Sequence, residues 1–108
     1  MAKYVLIESR DPFDSSDSQN FYALAEGLSK RGNEIVLFLV QNGVFPARTG
    51  AKHNSMISQL IQARVRILAD SFSLKERAIS VPMNGVGVVD VDRLVDLLLE
   101  PGTKAIWH

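Results

Sequence analysis

The sequence predicts a small doubly wound α/β domain, a mostly parallel sheet of about five strands with helices on both faces. Three observations carry this reading. Short, nearly continuous apolar runs rich in β-branched residues recur at residues 4–7, 35–40 and 65–69, which suits strands covered on both faces better than half-wet ones. Segments of helical periodicity alternate with them from end to end. At 108 residues, 46% hydrophobic and 22% charged, the chain suits one core and leaves no room for a second, so residues 1–108 are expected to form a single domain.

Each element follows from local chemistry. Between the first two strands, Phe21, Leu24, Ala25 and Leu28 recur at helical spacing, with Asp17 or Ser18 as the expected N-cap and Gly32 as the expected C′ residue. After the second strand, Gln41, Asn42 and Gly43 break the pattern. Met56, Ile57, Leu60 and Ile61 then mark an amphipathic helix that Asn54 or Ser55 is placed to cap. Beyond the third strand, Ser73 and Glu76 stand at capping-box spacing and predict a short helix. Pro82 and Gly85 introduce a further strand near residues 86–89. Asp90 is expected to cap a strong helix carrying Val91, Leu94, Val95 and Leu98, which Pro101 and Gly102 stop. A last short strand, residues 105–107, closes the chain.

Composition excludes several function classes. Twelve Lys and Arg balance twelve Asp and Glu, so no net field draws the chain to nucleic acid or an anionic membrane surface, and neither is an expected partner. The absence of cysteine removes disulfides, thiolate metal sites, iron–sulfur clusters and thiol nucleophiles together. His53 and His108 stand alone, and no metal site or cofactor is expected. Asp11, Asp14 and Asp17 lack the ligand ladder of a calcium loop and read as a polar lead into a helix N-terminus. Gly85 and Gly87 precede or enter a strand, where a dinucleotide loop needs its glycines between strand and helix. The opening residues run straight into a strand without the apolar stretch of a signal peptide, and no run approaches the ~20 apolar residues of a membrane span, so the cytoplasm is the expected location.

In open parallel sheets, ligands gather outside the carboxyl ends of the strands. Those ends carry residues 9–16, 41–44 and 70–73, which nominate Phe13, Asn42, Gly43, Asp70, Ser71 and Ser73 as ligand-binding candidates. The competing reading of Asp70, Ser71 and Ser73 is helix capping, in which the side chains satisfy backbone N–H groups. Arg77 is a candidate anion clamp, against the plainer roles of a solvated residue or a partner for a nearby acid such as Asp70. Phe45, Pro46 and Met83 are apolar residues in expected loops and, if they meet, would form a subunit interface.

Several segments, taken in order, resemble a known family. They are Lys3-Tyr-Val-Leu-Ile7 with Asp11-Pro-Phe-Asp14, Lys30-Arg-Gly-Asn-Glu34, and Val36-Leu-Phe-Leu-Val-Gln-Asn-Gly-Val44. Val65-Arg-Ile-Leu-Ala-Asp-Ser-Phe-Ser-Leu-Lys-Glu-Arg77, Val88-Val-Asp-Val-Asp-Arg-Leu-Val95 and Lys104-Ala-Ile-Trp107 follow. Together they are similar to the DsrE/DsrF-like sulfur-relay proteins, including the TusD-type and DsrH/TusB-type subunits. The resemblance implies assembly into trimers or hexamers, docking to sulfur-relay partners, and an active cysteine at the end of the third strand. Here that place falls at about Asp70, and a second frequent cysteine position at Ser73. Neither a carboxylate nor an unactivated hydroxyl forms a stable persulfide, so persulfide transfer is excluded. Ala78 stands where the resemblance leads one to expect glycine. The leading expectation is a non-catalytic or accessory homo-oligomer that binds a small anionic or sulfur-bearing ligand or docks to a relay partner. Its rivals are an enzyme using Asp70 as general base and a purely structural subunit of a hetero-complex.

Overall fold

The computed structural model describes residues 2–108. In chain order it runs β1 (Lys3–Glu8), α1 (Asp17–Lys30), β2 (Glu34–Leu39), a 3-10 helix (Gln41–Ala47), α2 (Asn54–Gln62), β3 (Arg66–Asp70), α3 (Ser71–Glu76), β4 (Val86–Val89), α4 (Val91–Leu99) and β5 (Thr103–Trp107). The five strands form one sheet in the order β4-β3-β2-β1-β5, with every pairing parallel. That is the expected fold class.

Topology and handedness together decide which helix covers which face. The first three crossovers step the same way across the sheet, whereas the connection from β4 to β5 runs back past β3, β2 and β1. Parallel crossovers are right-handed almost without exception, so a reversal of direction must also switch faces. Accordingly Leu6, Ile35, Leu37, Leu39, Ile67 and Ala69 share one core with residues of α1, α2, α3 and the 3-10 helix. Val5, Ile7, Val36, Phe38 and Leu68 face only Leu94 and Leu97 of α4. Two buried leucines contribute about 1.5–3 kcal/mol each, and they anchor a helix whose outward residues Val91, Val95, Leu98 and Leu99 remain exposed. Trp107 at the end of β5 is also exposed.

Element boundaries shift by a residue or two from the sequence expectation, and three local differences have physical causes. The break after β2 is a 3-10 helix rather than an open loop, and it lies close against β1: a Cβ on Gly43 would sit 2.1 Å from the Glu8 carbonyl oxygen. Helix α1 starts at Asp17 without a side-chain cap. At α2 the N-cap position is held by His53, and Asn54 turns back to donate to the Pro46 and Arg48 carbonyls at 2.7 and 2.9 Å and accept from Gly50 N–H at 3.0 Å. It staples the preceding loop instead of capping the helix. Phe45, Pro46 and Met83 do not form an exposed patch either, since Pro46 is buried and the other two pack against the larger core.

Two further internal features were invisible in sequence. Glu8 is fully buried, with the Arg10 N–H donating to it at 2.9 Å and His108 Nδ1 3.0 Å from both carboxylate oxygens. Tyr22 carries a buried hydroxyl without a hydrogen-bond partner among the described residues. Burial first, then the charges of Glu8 and Asp11, hold that hydroxyl neutral well above the usual tyrosine range.

The glycine pattern yields an opposed pair of outcomes. Ala78 adopts φ 56°, the left-handed region where glycine is unstrained. Ala78→Gly is therefore expected to raise stability by about 1 kcal/mol. Gly43→Ala, which must push a methyl into the end of β1, is expected to cost about 2–3 kcal/mol. Urea unfolding of both variants checks the signs, and a destabilised Ala78→Gly would contradict the strain reading.

Candidate functional site

The carboxyl edge of the sheet is organised around the end of β3. Asp70 leaves the strand with extended backbone and caps α3: its Oδ2 accepts from Ser73 N–H at 3.0 Å and from Ser73 Oγ at 2.7 Å. Ser73 Oγ in turn accepts from Gln41 N–H at 2.8 Å, tying α3 to the start of the 3-10 helix. Arg77, one turn beyond Ser73, donates through Nε to Asn42 Oδ1 at 3.1 Å and through Nη1 to the Ser73 carbonyl at 3.2 Å. Its guanidinium lies over the Phe45 ring, 5.7 Å from the centroid. A cation held on both edges and stacked on an aromatic face has lost most of its rotamer freedom.

Four of the seven candidates, Asn42, Asp70, Ser73 and Arg77, thus form one hydrogen-bonded cluster. Gly43 adjoins it and serves close packing against Glu8. Asp70 exposes 7% of its surface and Ser73 4%, so within this cluster their oxygens are directed at each other. Arg77 does not pair with Asp70: Asn42 and the Ser73 carbonyl take the guanidinium, and the nearby acid within ion-pair reach is Glu76, 3.9 Å from Nη1.

Ser71 and Phe13 stay outside that cluster, each on a different opening. β3 exits into α3 on one face while its neighbour β4 exits into α4 on the other, and the crevice between two such strands is where ligands settle in open sheets. Here the crevice is broad, about 470 Å³, and is lined by Ser71, Val89, Asp90, Asp92, Arg93 and Asp96. Phe13 instead borders a cleft of about 230 Å³ with Asp11, Phe45, Arg48, Lys52 and His53. Lys52 Nζ is 5.2 Å from the Phe13 ring centroid, and His53 meets the same ring edge-on at 5.0 Å. The Phe45 ring that carries Arg77 is also a wall of this cleft, so the cluster and the cleft share a side chain.

Sequence reasoning missed Arg48, Lys52 and His53 because they lie in a loop before α2, far from any strand end. It also missed Asp90 and Asp92 as walls of the crevice, since their helix-start position already had an explanation. Asp90 does cap α4, accepting from Asp92 N–H at 3.1 Å and Arg93 N–H at 3.4 Å. Among the described residues no group of three or more His, Cys, Asp or Glu is arranged to hold a metal ion. No helix among them is long and apolar enough to cross a membrane.

A five-stranded parallel sheet with a polar cluster at the end of its third strand defines a class of small doubly wound protein. Within it, the DsrE/DsrF-like family model matches residues 2–107, and the chain belongs to that family. Solved structures agree in fold. The ychN protein from E. coli is similar at 21% identity and a TM-score of 0.89, over 100% of both chains. MTH1491 from Methanobacterium thermoautotrophicum, a protein of unknown function, is similar at 22% identity and 0.87, again over 100% of both. BT1422 from Bacteroides thetaiotaomicron, likewise of unknown function, gives 17% and 0.78 over 98% of this chain and 94% of its own. No curated protein matches.

Removing the Asp70 carboxylate deletes the α3 cap and strands the buried Ser73 hydroxyl. Asp70→Ala is expected to cost about 2–3 kcal/mol, and Asp70→Asn, which keeps an acceptor, less than half of that. Chemical denaturation measures both; an alanine variant within about 0.5 kcal/mol of the parent would show that the cap is not stabilising.

Proposed function

We propose that this chain is an accessory DsrE-like protein that binds a small anionic or sulfur-bearing ligand without taking part in covalent sulfur transfer. The supporting observation is the cleft bordered by Phe13 and Phe45, in which the cations of Arg48 and Lys52 outnumber the one carboxylate, Asp11, beside the held Arg77. Guanidinium and ammonium groups recognise carboxylate, sulfonate or thiosulfate oxygens, while the rings exclude water from one side of the ligand. The cluster of Asn42, Asp70, Ser73 and Arg77 serves in this reading as the rigid frame that presents the cleft. It also speaks against Asp70 as a general base, because its Oδ2 already accepts two hydrogen bonds from Ser73. The missing thiol leaves no nucleophile able to store a persulfide.

Thiosulfate, as a small sulfur-bearing anion, is the test ligand. At ten times Kd, linkage supplies about 1.4 kcal/mol and raises Tm by roughly 5 °C. Arg48→Gln and Lys52→Gln are expected to lose the shift while keeping the parent Tm. Incubation with a cysteine desulfurase and labelled sulfur donor is expected to leave no covalent label; stable stoichiometric labelling, or a shift unchanged in both variants, would overturn the proposal.

A specific observation also supports self-association. Val91, Val95 and Leu98 recur at i, i+4 and i+7 along the outward side of α4, and they, Leu99 and Trp107 are exposed apolar surface. Docking of a second copy there would cover the thinly protected face of the sheet. Light scattering is expected to give at least twice the 11.9 kDa chain mass, and Val95→Asp with Leu98→Asp to reduce it to that of one chain. A parent protein that is monomeric at micromolar concentration would remove this reading.

A further inference from the structure

The opposite end of the sheet holds a second group of cations, and its origin can be followed from the pleat. Lys3 pairs with Glu34 and Val36 with Arg66 in the strand registers. Alternation therefore places Lys3, Glu34 and Arg66 on the same face as Val5, Val36 and Leu68, the face that α4 covers. On α4, Arg93, Leu97 and Glu100 fall at i, i+4 and i+7, on the stripe turned to that face. Between helix and strand ends lies a cavity of about 230 Å³ whose wall includes Lys3, Glu34, Arg64, Arg66, Arg93 and Glu100.

The charges in this wall are unevenly matched. Lys3 is ion-paired with both carboxylates, to Glu34 at 3.4 Å and to Glu100. That leaves three guanidiniums. Among the described residues, no carboxylate lies within ion-pair reach of Arg64, Arg66 or Arg93, and none of the three side chains makes a hydrogen bond. Like charges converging on one cavity repel, and an anion with several oxygens would relieve that repulsion while accepting paired N–H donors.

Backbone strain at Arg64 is a separate observation. It follows the C-cap of α2 and adopts φ 69°, the position where helices ordinarily place glycine. An arginine there costs stability relative to glycine. Strained backbone of this kind persists where its surroundings hold it, and functional sites are enriched in it.

We propose that Arg64, Arg66 and Arg93 form a binding site for a small phosphate-bearing molecule at the amino-terminal edge of the sheet. This site is independent of the Phe13–His53 cleft at the other edge. The chain's overall charge balance gives long-range attraction for polyanions no support, which favours a small ligand with a few well-placed oxygens over nucleic acid.

Isothermal titration of the full chain with inorganic pyrophosphate tests it. The expected result is one saturable site whose affinity falls about tenfold or more in Arg66→Gln and in Arg93→Gln, the loss of a charge-assisted contact in each. Arg66→Lys, which keeps the charge and loses the fork, should fall between. Lys75→Gln, which removes an exposed cation lining neither cavity, should bind as the parent does. Arg64→Gly separates binding from folding: affinity should drop while Tm rises by about 4 °C, since glycine relieves the backbone. No saturable binding to the parent, unchanged affinity in both Arg66→Gln and Arg93→Gln, or an equal loss of affinity in Lys75→Gln would each overturn the proposal.

Discussion

A crossover between parallel strands must be right-handed, and in this chain that single rule organises everything else. Because β5 returns to the far side of β1 while the other connections step away from it, α4 is obliged to cross alone on its own face. One face is closed by four helical segments, and the other by two leucines of a nine-residue helix. The exposed apolar stripe on α4 and the open crevice at the ends of β3 and β4 are consequences of that reversal. So is the arginine-lined cavity beneath the far end of α4, where the helix meets the amino ends of the strands.

At the carboxyl edge the chemistry is shaped by one residue. Asp70 carries a carboxylate folded into a closed set of hydrogen bonds with Ser73 and, through it, with Gln41. A thiol at a helix start tends to be exposed and reactive, whereas a carboxylate at an N-cap is most stable when its oxygens are occupied. Here the carboxylate makes the junction a structural lock, with Asp70 satisfying an orphan N–H group at the positive end of α3.

Among the described residues three non-glycine positions, Gln41, Arg64 and Ala78, adopt positive φ, at 52°, 69° and 56°. Each stands at a junction: the entry to the 3-10 helix, the exit of α2, and the exit of α3. At Gln41 the compensation is visible, since its N–H donates to Ser73 Oγ at 2.8 Å. At Ala78 the turn is closed by N–H donation to the Lys75 carbonyl at 3.1 Å, and the side chain adds little. Arg64 brings a long cationic side chain to a strained position, and its use lies in the charge it delivers.

Periodicity and composition by themselves determined the fold class, the five strands, the four α-helices and the absence of thiol chemistry, because each depends on residues close together in the chain. Asp70 and Asp90 were legible as caps for the same reason. Only the tertiary structure decided what those elements bring together. Glu8 and His108 meet across the whole chain through the register of β1 with β5, Arg77 finds Asn42 rather than Asp70, and Phe13 turns to His53 in a cleft no motif announces. Arg64, Arg66 and Arg93 converge only because α4 crosses the sheet face on which β3 presents Arg66. Contacts of this kind depend on sheet order and crossover handedness, global properties that local spacing does not encode.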